Sequence, residues 1–177
     1  MTPKRSDVYR KAKNSINDPK GVARKMQKTM PGTFTQIYIQ VVFAVKGRQS
    51  LIETKWEEDL YKYVTGIVQH KQQKMLAING MPDHLHFFIG MRPTCCLSDL
   101  VREVKKSSND YIKASRFCNW FNWQEGYGAF SYSHSQLKTV IGYIMNQKEH
   151  HKKYTFLEEY RHLLNENEIE FDEKYLL

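Results

Sequence analysis

Pro82-Asp83-His84-Leu85-His86-Phe87-Phe88-Ile89 is the stretch whose reading decides the fold. Its β-branched and aromatic content marks a strand. Met75-Leu76-Ala77-Ile78 before it is also strand-like, and Asn79-Gly80-Met81-Pro82-Asp83 between them carries the residues of a hairpin turn. Side chains alternate along a strand, so His84 and His86 share one face while Leu85 and Phe87 point to the other. Two imidazoles on one face of a rigid strand are half of a metal site. On its own, such a pair on a half-exposed strand is ordinary, and a second cluster is needed to give it a function.

Working outward, residues 33–45 form the strongest strand signal of the chain. Residues 54–73 read as a helix, with Trp56, Leu60, Val64, Ile67 and Val68 at three- and four-residue spacing. The hairpin strands fall at 74–79 and 84–91. After Pro93, Thr94 or Ser98 can cap a helix whose stripe is Leu97, Leu100, Val101, Val104, Tyr111 and Ile112. Its polar face shows Arg102, Lys105 and Lys106. An aromatic segment at 117–127 precedes a short strand at 129–133 and a helix at 136–152. A short acidic helix is expected at 156–166. The order strand, helix, strand, strand, helix, strand is that of an α+β, ferredoxin-like split βαβ fold. In that plan an antiparallel sheet has two helices on one face, and a further C-terminal helix follows. His84 and His86 then lie on a central strand, and the reading places them on the open face. Trp56 and Trp120 are read as core residues.

The chain has 177 residues and a net charge of +8, unevenly spread. Residues 1–32 hold nine basic and two acidic side chains, residues 33–155 sixteen and ten, and residues 156–177 two and seven. This divides the chain into a basic, poorly ordered or non-native extension at 1–32, a domain at 33–155 and an acidic tail at 156–177. A basic body suits a polyanionic partner, nucleic acid above all. The acidic tail is expected to lie across that basic surface in the free protein. Three cysteines, two of them adjacent, make neither a disulfide framework nor a zinc pattern and are read as reduced, mostly buried thiols. With no apolar run of membrane length and no signal peptide, the expectation is a cytoplasmic protein with no membrane partner.

The second cluster lies on the helix at 136–152. Tyr143 and Gln147 are four residues apart and share a face, with His150 or His151 one turn further on. Val140, Ile141, Ile144 and Met145 supply its apolar side.

Together these motifs resemble the single-tyrosine HUH transposases, most closely the branch related to REP-associated tyrosine transposases. The resemblance runs from about residue 30 to 177. It rests on Phe34–Arg48, on Pro82-Asp83-His84-Leu85-His86 and on Trp123-Gln124-Glu125-Gly126-Tyr127-Gly128-Ala129-Phe130-Ser131. It continues through Tyr143-Ile144-Met145-Asn146-Gln147 with His150-His151, and Phe171-Asp172-Glu173-Lys174-Tyr175-Leu176. Gln40 departs from it, since relatives often carry His in the first strand, and no catalytic role is attached to that position.

The resemblance implies metal-dependent cleavage and rejoining of single-stranded DNA through a 5′-phosphotyrosine link. Tyr143 would be the nucleophile, and His84, His86 and Gln147 would hold Mg²⁺ or Mn²⁺. Asp83 is read as a turn residue that could orient an imidazole. Arg102, Lys105, Lys106, Trp123 and Lys148 are the DNA-binding candidates, a DNA hairpin the expected feature of the substrate, and a homodimer the expected assembly. The competing expectations are a domesticated protein nicking genomic REP palindromes, and a non-catalytic nucleic-acid-binding ferredoxin-like module.

Overall fold

Strand β1 (Ile37–Ala44) forms from the β-branched run in the computed structural model, which describes residues 32–176. The extension expected at 1–32 therefore lies, apart from Gly32, outside the described residues. Helix α1 (Thr54–His70), strands β2 (Lys74–Met81) and β3 (His84–Met91), helix α2 (Leu97–Ala114) and strand β4 (Gly128–Tyr132) follow. Helices α3 (Leu137–Met145), α4 (Gln147–His150) and α5 (Phe156–Glu166) come next, and a 3-10 turn at Glu173–Tyr175 follows them. The sheet order is β2-β3-β1-β4, and every neighbouring pair is antiparallel. That is the split βαβ arrangement, with His84 and His86 on a central strand opposite Ala44 and Val42 of β1.

Alternation along β1 and β3 sorts the two faces. Val41, Phe43, Leu85, Phe87 and Ile89 face α1 and α2, where they join Trp56, Leu60, Val64, Leu100, Val104 and Ile112 in the main core. Val42, Ala44, His84, His86 and Phe88 take the other face. This second face is not open. Val140 and Ile144 of α3 pack on Ala77 and Phe88, and Phe156, Leu163 and Leu164 of α5 pack on Val42, Ala44 and Phe130. His84 and His86 are consequently fully buried, at 0% exposure. The period-two pattern put both rings on one face correctly. Their expected exposure is overturned by helices that cover the sheet from its second side.

The same packing changes the reading of residues 156–177. Thr155 and Glu158 form a capping box, with Glu158 N donating to Thr155 Oγ1 and Thr155 N donating to Glu158 Oε2. The helix so started lays its apolar side on the sheet. It therefore does not cross the basic face of α2, which belongs to the opposite layer. The helix expected over 136–152 is also interrupted, at Asn146 (φ −96°, ψ 17°). Asn79 of β2 donates from Nδ2 to the carbonyls of Ile144 and Met145, 3.0 Å each. These are helix-end carbonyls without intrahelical partners. Helix α2 starts at Leu97 after Cys96, with no side-chain cap, so neither Ser98 nor Thr94 plays that role. Of the cysteines only Cys118 is buried. No helix among the described residues is long and apolar enough to cross a membrane.

Pro82 and Asp83 make the turn between β2 and β3, since Met81 pairs with His84. The turn is docked at both carbonyls, which accept from Ile52 N (2.9 Å) and Val45 N (2.7 Å). Gly80, opposite Leu85, has no room for a side chain: a Cβ there would strike the His84 carbonyl and lie 3.1 Å from Leu85 Cα. Gly66 in α1 faces open space. Urea unfolding is therefore expected to show opposite signs for two chemically identical changes. Gly80→Ala should destabilise by about 1–3 kcal/mol through overpacking. Gly66→Ala should stabilise by about 0.4–1 kcal/mol through the unfolded state. Equal effects would contradict this account of the hairpin.

Candidate active site

The sheet's second face brings the expected residues together around one that the sequence reading did not single out. Glu159 of α5 is 3% exposed, and its carboxylate is the hub of the site. Tyr143 Oη and Gln147 Nε2 donate to Oε1, the latter at 2.8 Å. His151 Nε2 donates to Oε2 at 3.0 Å. His86 Nε2 lies 3.3 Å and His84 Nε2 3.6 Å from the same Oε2. Tyr143 thus sits beside the His pair of its own chain, its ring edge-on to His86 at 6.2 Å between centroids.

Four buried atoms in this cluster have no hydrogen-bond partner: His84 Nε2, His86 Nε2, His150 Nε2 and Gln147 Oε1. Buried polar atoms are rarely left unpartnered, because each costs about 1–3 kcal/mol in desolvation. His84 Nε2 and Gln147 Oε1 can present lone pairs, and His86 Nε2 does so when its proton sits on Nδ1; these three belong to the residues named as metal ligands from the sequence. Possible ligand atoms of His84, His86 and Glu159 lie within 4.8 Å of one another. Two imidazoles, a carboxylate and an amide oxygen make a mixed nitrogen and oxygen set suited to a divalent cation.

The partners of each ring fix its proton. Asp83 Oδ1 lies 2.8 Å from His84 Nδ1, and a carboxylate only accepts, so Nδ1 carries the hydrogen and Nε2 faces the site with its lone pair free. Asp83 is thus an orienting partner as well as a turn residue. Burial pulls the His84 pKa down, although Asp83 opposes it. His86 Nδ1 faces Gln40 Nε2 at 3.1 Å, and Tyr132 Oη donates to Gln40 Oε1 at 2.9 Å. In this orientation the amide donates to Nδ1 and leaves the proton on Nε2. Rotating the amide by half a turn reverses this, and the Tyr132 hydroxyl serves either orientation because it both donates and accepts. Gln40, fully buried, is therefore a positioning residue for His86. His151 sits between Glu159 and the Tyr154 carbonyl, 2.9 Å from Nδ1. Both partners only accept, so both ring nitrogens carry hydrogen and the ring is cationic. Burial lowers its pKa, but the hydrogen bond to Glu159, that carboxylate's charge and the Tyr154 carbonyl together raise it more.

Burial alone would raise the Glu159 pKa. Hydrogen bonding from His151, the neighbouring His86 ring and Tyr143 outweigh it and hold the carboxyl well below its usual range. The Tyr143 hydroxyl is pushed strongly upward, by burial first and then by the Glu159 charge. A phenol held so firmly protonated needs added positive charge nearby before it can attack.

The DNA-binding candidates do not gather here. Trp123 is buried in the main core, edge-on to Phe43 and Phe121, with Nε1 donating to Ser108 Oγ at 2.9 Å; it offers no ring face to a base. Lys105 donates to the carbonyls of Gln124 (2.5 Å) and Gly126 (2.8 Å) and so ties down a loop. Arg102 pairs with Asp99 (2.8 Å), and Lys148 pairs with Glu57 of α1. Lys106 is exposed on α2, on the far layer from the His pair. Trp120, expected in the core, is 70% exposed. In an irregular loop there is no period to tell the two tryptophans apart. Glu159 was missed because it is one acid among seven in its segment, and Gln40 was noticed only as a departure from the family pattern and given no role. The buried pattern of β1 was the available signal for Gln40.

Known proteins place this geometry in context. A comparison with curated proteins finds no match. A structure described as a candidate transposase from Deinococcus radiodurans R1 superposes with a TM-score of 0.55 at 20% identity, covering 68% of this chain and 98% of that one. A REP-associated tyrosine transposase bound to a REP hairpin superposes with a TM-score of 0.50 at 15% identity, covering 68% and 72%. At these identities the two structures speak for the fold. The sequence pattern of the IS200-like transposases matches residues 33–147, a span that contains Gln40, His84, His86, Tyr143 and Gln147. On that match, the chain belongs to the IS200-like transposase family.

Proposed function

We propose that this transposase cleaves and rejoins single-stranded DNA with Tyr143 as nucleophile and Mg²⁺ or Mn²⁺ as cofactor. The observation that carries the reading is the convergence of the Tyr143 hydroxyl with buried, unpartnered ligand atoms of His84, His86 and Gln147. His84 Nε2, His86 Nε2, Gln147 Oε1 and the Glu159 carboxylate would hold the ion. The ion would supply Lewis-acid stabilisation of charge on the scissile phosphate. Tyr143 Oη attacks phosphorus, the bond from phosphorus to the 3′-oxygen breaks, and the strand end stays on Tyr143 as a 5′-phosphotyrosine. The phenol proton passes to Glu159 Oε1, which already accepts it, and the departing 3′-oxygen takes a proton from water. Rejoining is the reverse, with a 3′-hydroxyl attacking the phosphotyrosine. No nucleotide cofactor is needed, because the covalent link retains the bond energy.

Since Tyr143 packs against the His pair of the same chain, the site is complete within one polypeptide. That arrangement supports cleavage in cis without an obligatory dimer. By analogy with the hairpin-bound relative, the single strand is expected to lie beside a DNA hairpin. A purely binding module would have no use for buried donor atoms left unpartnered around a tyrosine.

The test is incubation with Mg²⁺ or Mn²⁺ and single-stranded DNA from the flanks of the gene, read on a denaturing gel. A protein–DNA adduct is expected, abolished by Tyr143→Phe and by chelation; tight hairpin binding without an adduct would overturn the proposal. Metal binding can be read without DNA, by Mn²⁺ titration. His86→Ala should eliminate the site, and Gln40→Ala should weaken it by about 10–100-fold through loss of ring orientation. Glu159→Gln keeps the size and an acceptor but loses the base. It should slow adduct formation by about 10²–10⁴-fold. A faster variant would instead mark Glu159 as a plug that DNA must displace.

A further inference from the structure

We infer that Trp120, with Lys46, Arg48, Lys113 and Arg116, forms a stacking surface for the unpaired DNA strand that runs to the scissile phosphate. This rests on the transposase reading above and adds the surface that the candidates named from the sequence do not supply.

The loop following α2 holds its aromatics in two ways. Phe117 stacks on Trp56 at 5.3 Å between centroids, and Phe121 and Trp123 are buried edge-on to each other at 4.8 Å. These rings anchor the loop. Trp120, between them, is 70% exposed. It is presented by a braced backbone: Asn122 Nδ2 donates to the Trp120 carbonyl (3.3 Å), and Lys113 Nζ donates to Asn122 Oδ1 (3.2 Å). Lys46 N donates to the Asn122 carbonyl (2.8 Å), which brings the turn after β1 to the same place. Arg116 holds a left-handed backbone (φ 58°) one residue past the α2 cap, and Arg48 does so (φ 51°) after β1.

Two features point to nucleic acid as the occupant. Among the described residues no carboxylate lies within ion-pair distance of Lys46, Arg48, Lys113 or Arg116, in contrast to Arg102 and Lys148. The second is location. β1 ends beside His84, and Val45 N donates to the Asp83 carbonyl at 2.7 Å, so the Lys46–Arg48 turn lies at the sheet end that carries the His pair. An exposed indole offers a face to a base, and neighbouring cations neutralise phosphates. Interior base pairs of a stem have both faces covered by their neighbours, so the surface fits single-stranded DNA and not the body of a hairpin stem.

The experiment measures binding of fluorescein-labelled oligo(dT) and of a blunt hairpin to full-length protein carrying Tyr143→Phe. Adding Trp120→Ala should weaken oligo(dT) binding by about 5–100-fold and leave hairpin-stem binding unchanged, while Trp120→Phe retains most of it. Lys113→Gln with Arg116→Gln should lower the slope of log K against log salt by about 1.4. Unchanged oligo(dT) affinity in Trp120→Ala, an equal loss on the blunt hairpin, or a change in self-association alone would each overturn the inference. Adduct formation in the protein with Tyr143 intact separates the two claims. An adduct with no Trp120 effect discards this surface and keeps the chemistry. A Trp120 effect with no adduct does the reverse.

Discussion

A carboxylate buried at 3% exposure among the imidazoles of His84, His86, His150 and His151, a phenol and an amide is the constraint on which the second layer of this molecule depends. A charge withdrawn from water needs partners, and removing one member of a buried pair typically costs about 3–5 kcal/mol. Glu159 meets this with hydrogen bonds from Tyr143, Gln147 and His151, the last cationic by the logic of its own two acceptors. These contacts tie α3, α4 and α5 to one point on β3. The apolar contacts of Phe156, Leu163 and Leu164 with Val42, Ala44 and Phe130 hold α5 down; the polar ones fix its position.

The two faces of the sheet consequently carry different chemistry. The α1–α2 side is an apolar core of ordinary composition, closed by Trp56, Phe87 and Phe121. The other side combines apolar patches at its edges with a polar centre. Asn79 of β2 shows how the layers are joined. By accepting the role of partner to two helix-end carbonyls, it ends α3 just after Tyr143 and lets α4 restart with Gln147 at its first position. The positions of Tyr143 and Gln147 are therefore set by a strand residue as much as by helical periodicity.

Much of this was legible in the chain. Strand alternation put His84 and His86 on one face, the element order led to the sheet topology, and the four-residue spacing of Tyr143 and Gln147 brought them to the same carboxylate. What could not be read was set at long range. An exposed acidic helix and one that buries a single acid look alike in sequence, so Glu159 stayed hidden within 156–166. The break at Asn146 has no Gly or Pro to announce it, because its cause is 67 residues away on β2. Trp120 and Trp123 exchanged their expected places because loop residues have no period, and only the packing against Phe43 decides which ring goes in.

The groups that meet at Glu159 come from β3 and from the segment that holds Tyr143, Gln147 and His151, so the site joins parts of the chain far apart in sequence. During synthesis the sheet residues and Tyr143 leave the ribosome before α5 does. A nascent chain can therefore pair its strands and bury its first core while its cutting centre is still without its carboxylate. Completion of this site is in this sense a late folding event. The Glu159 cluster acquires its full set of partners only after α5 has docked on the sheet.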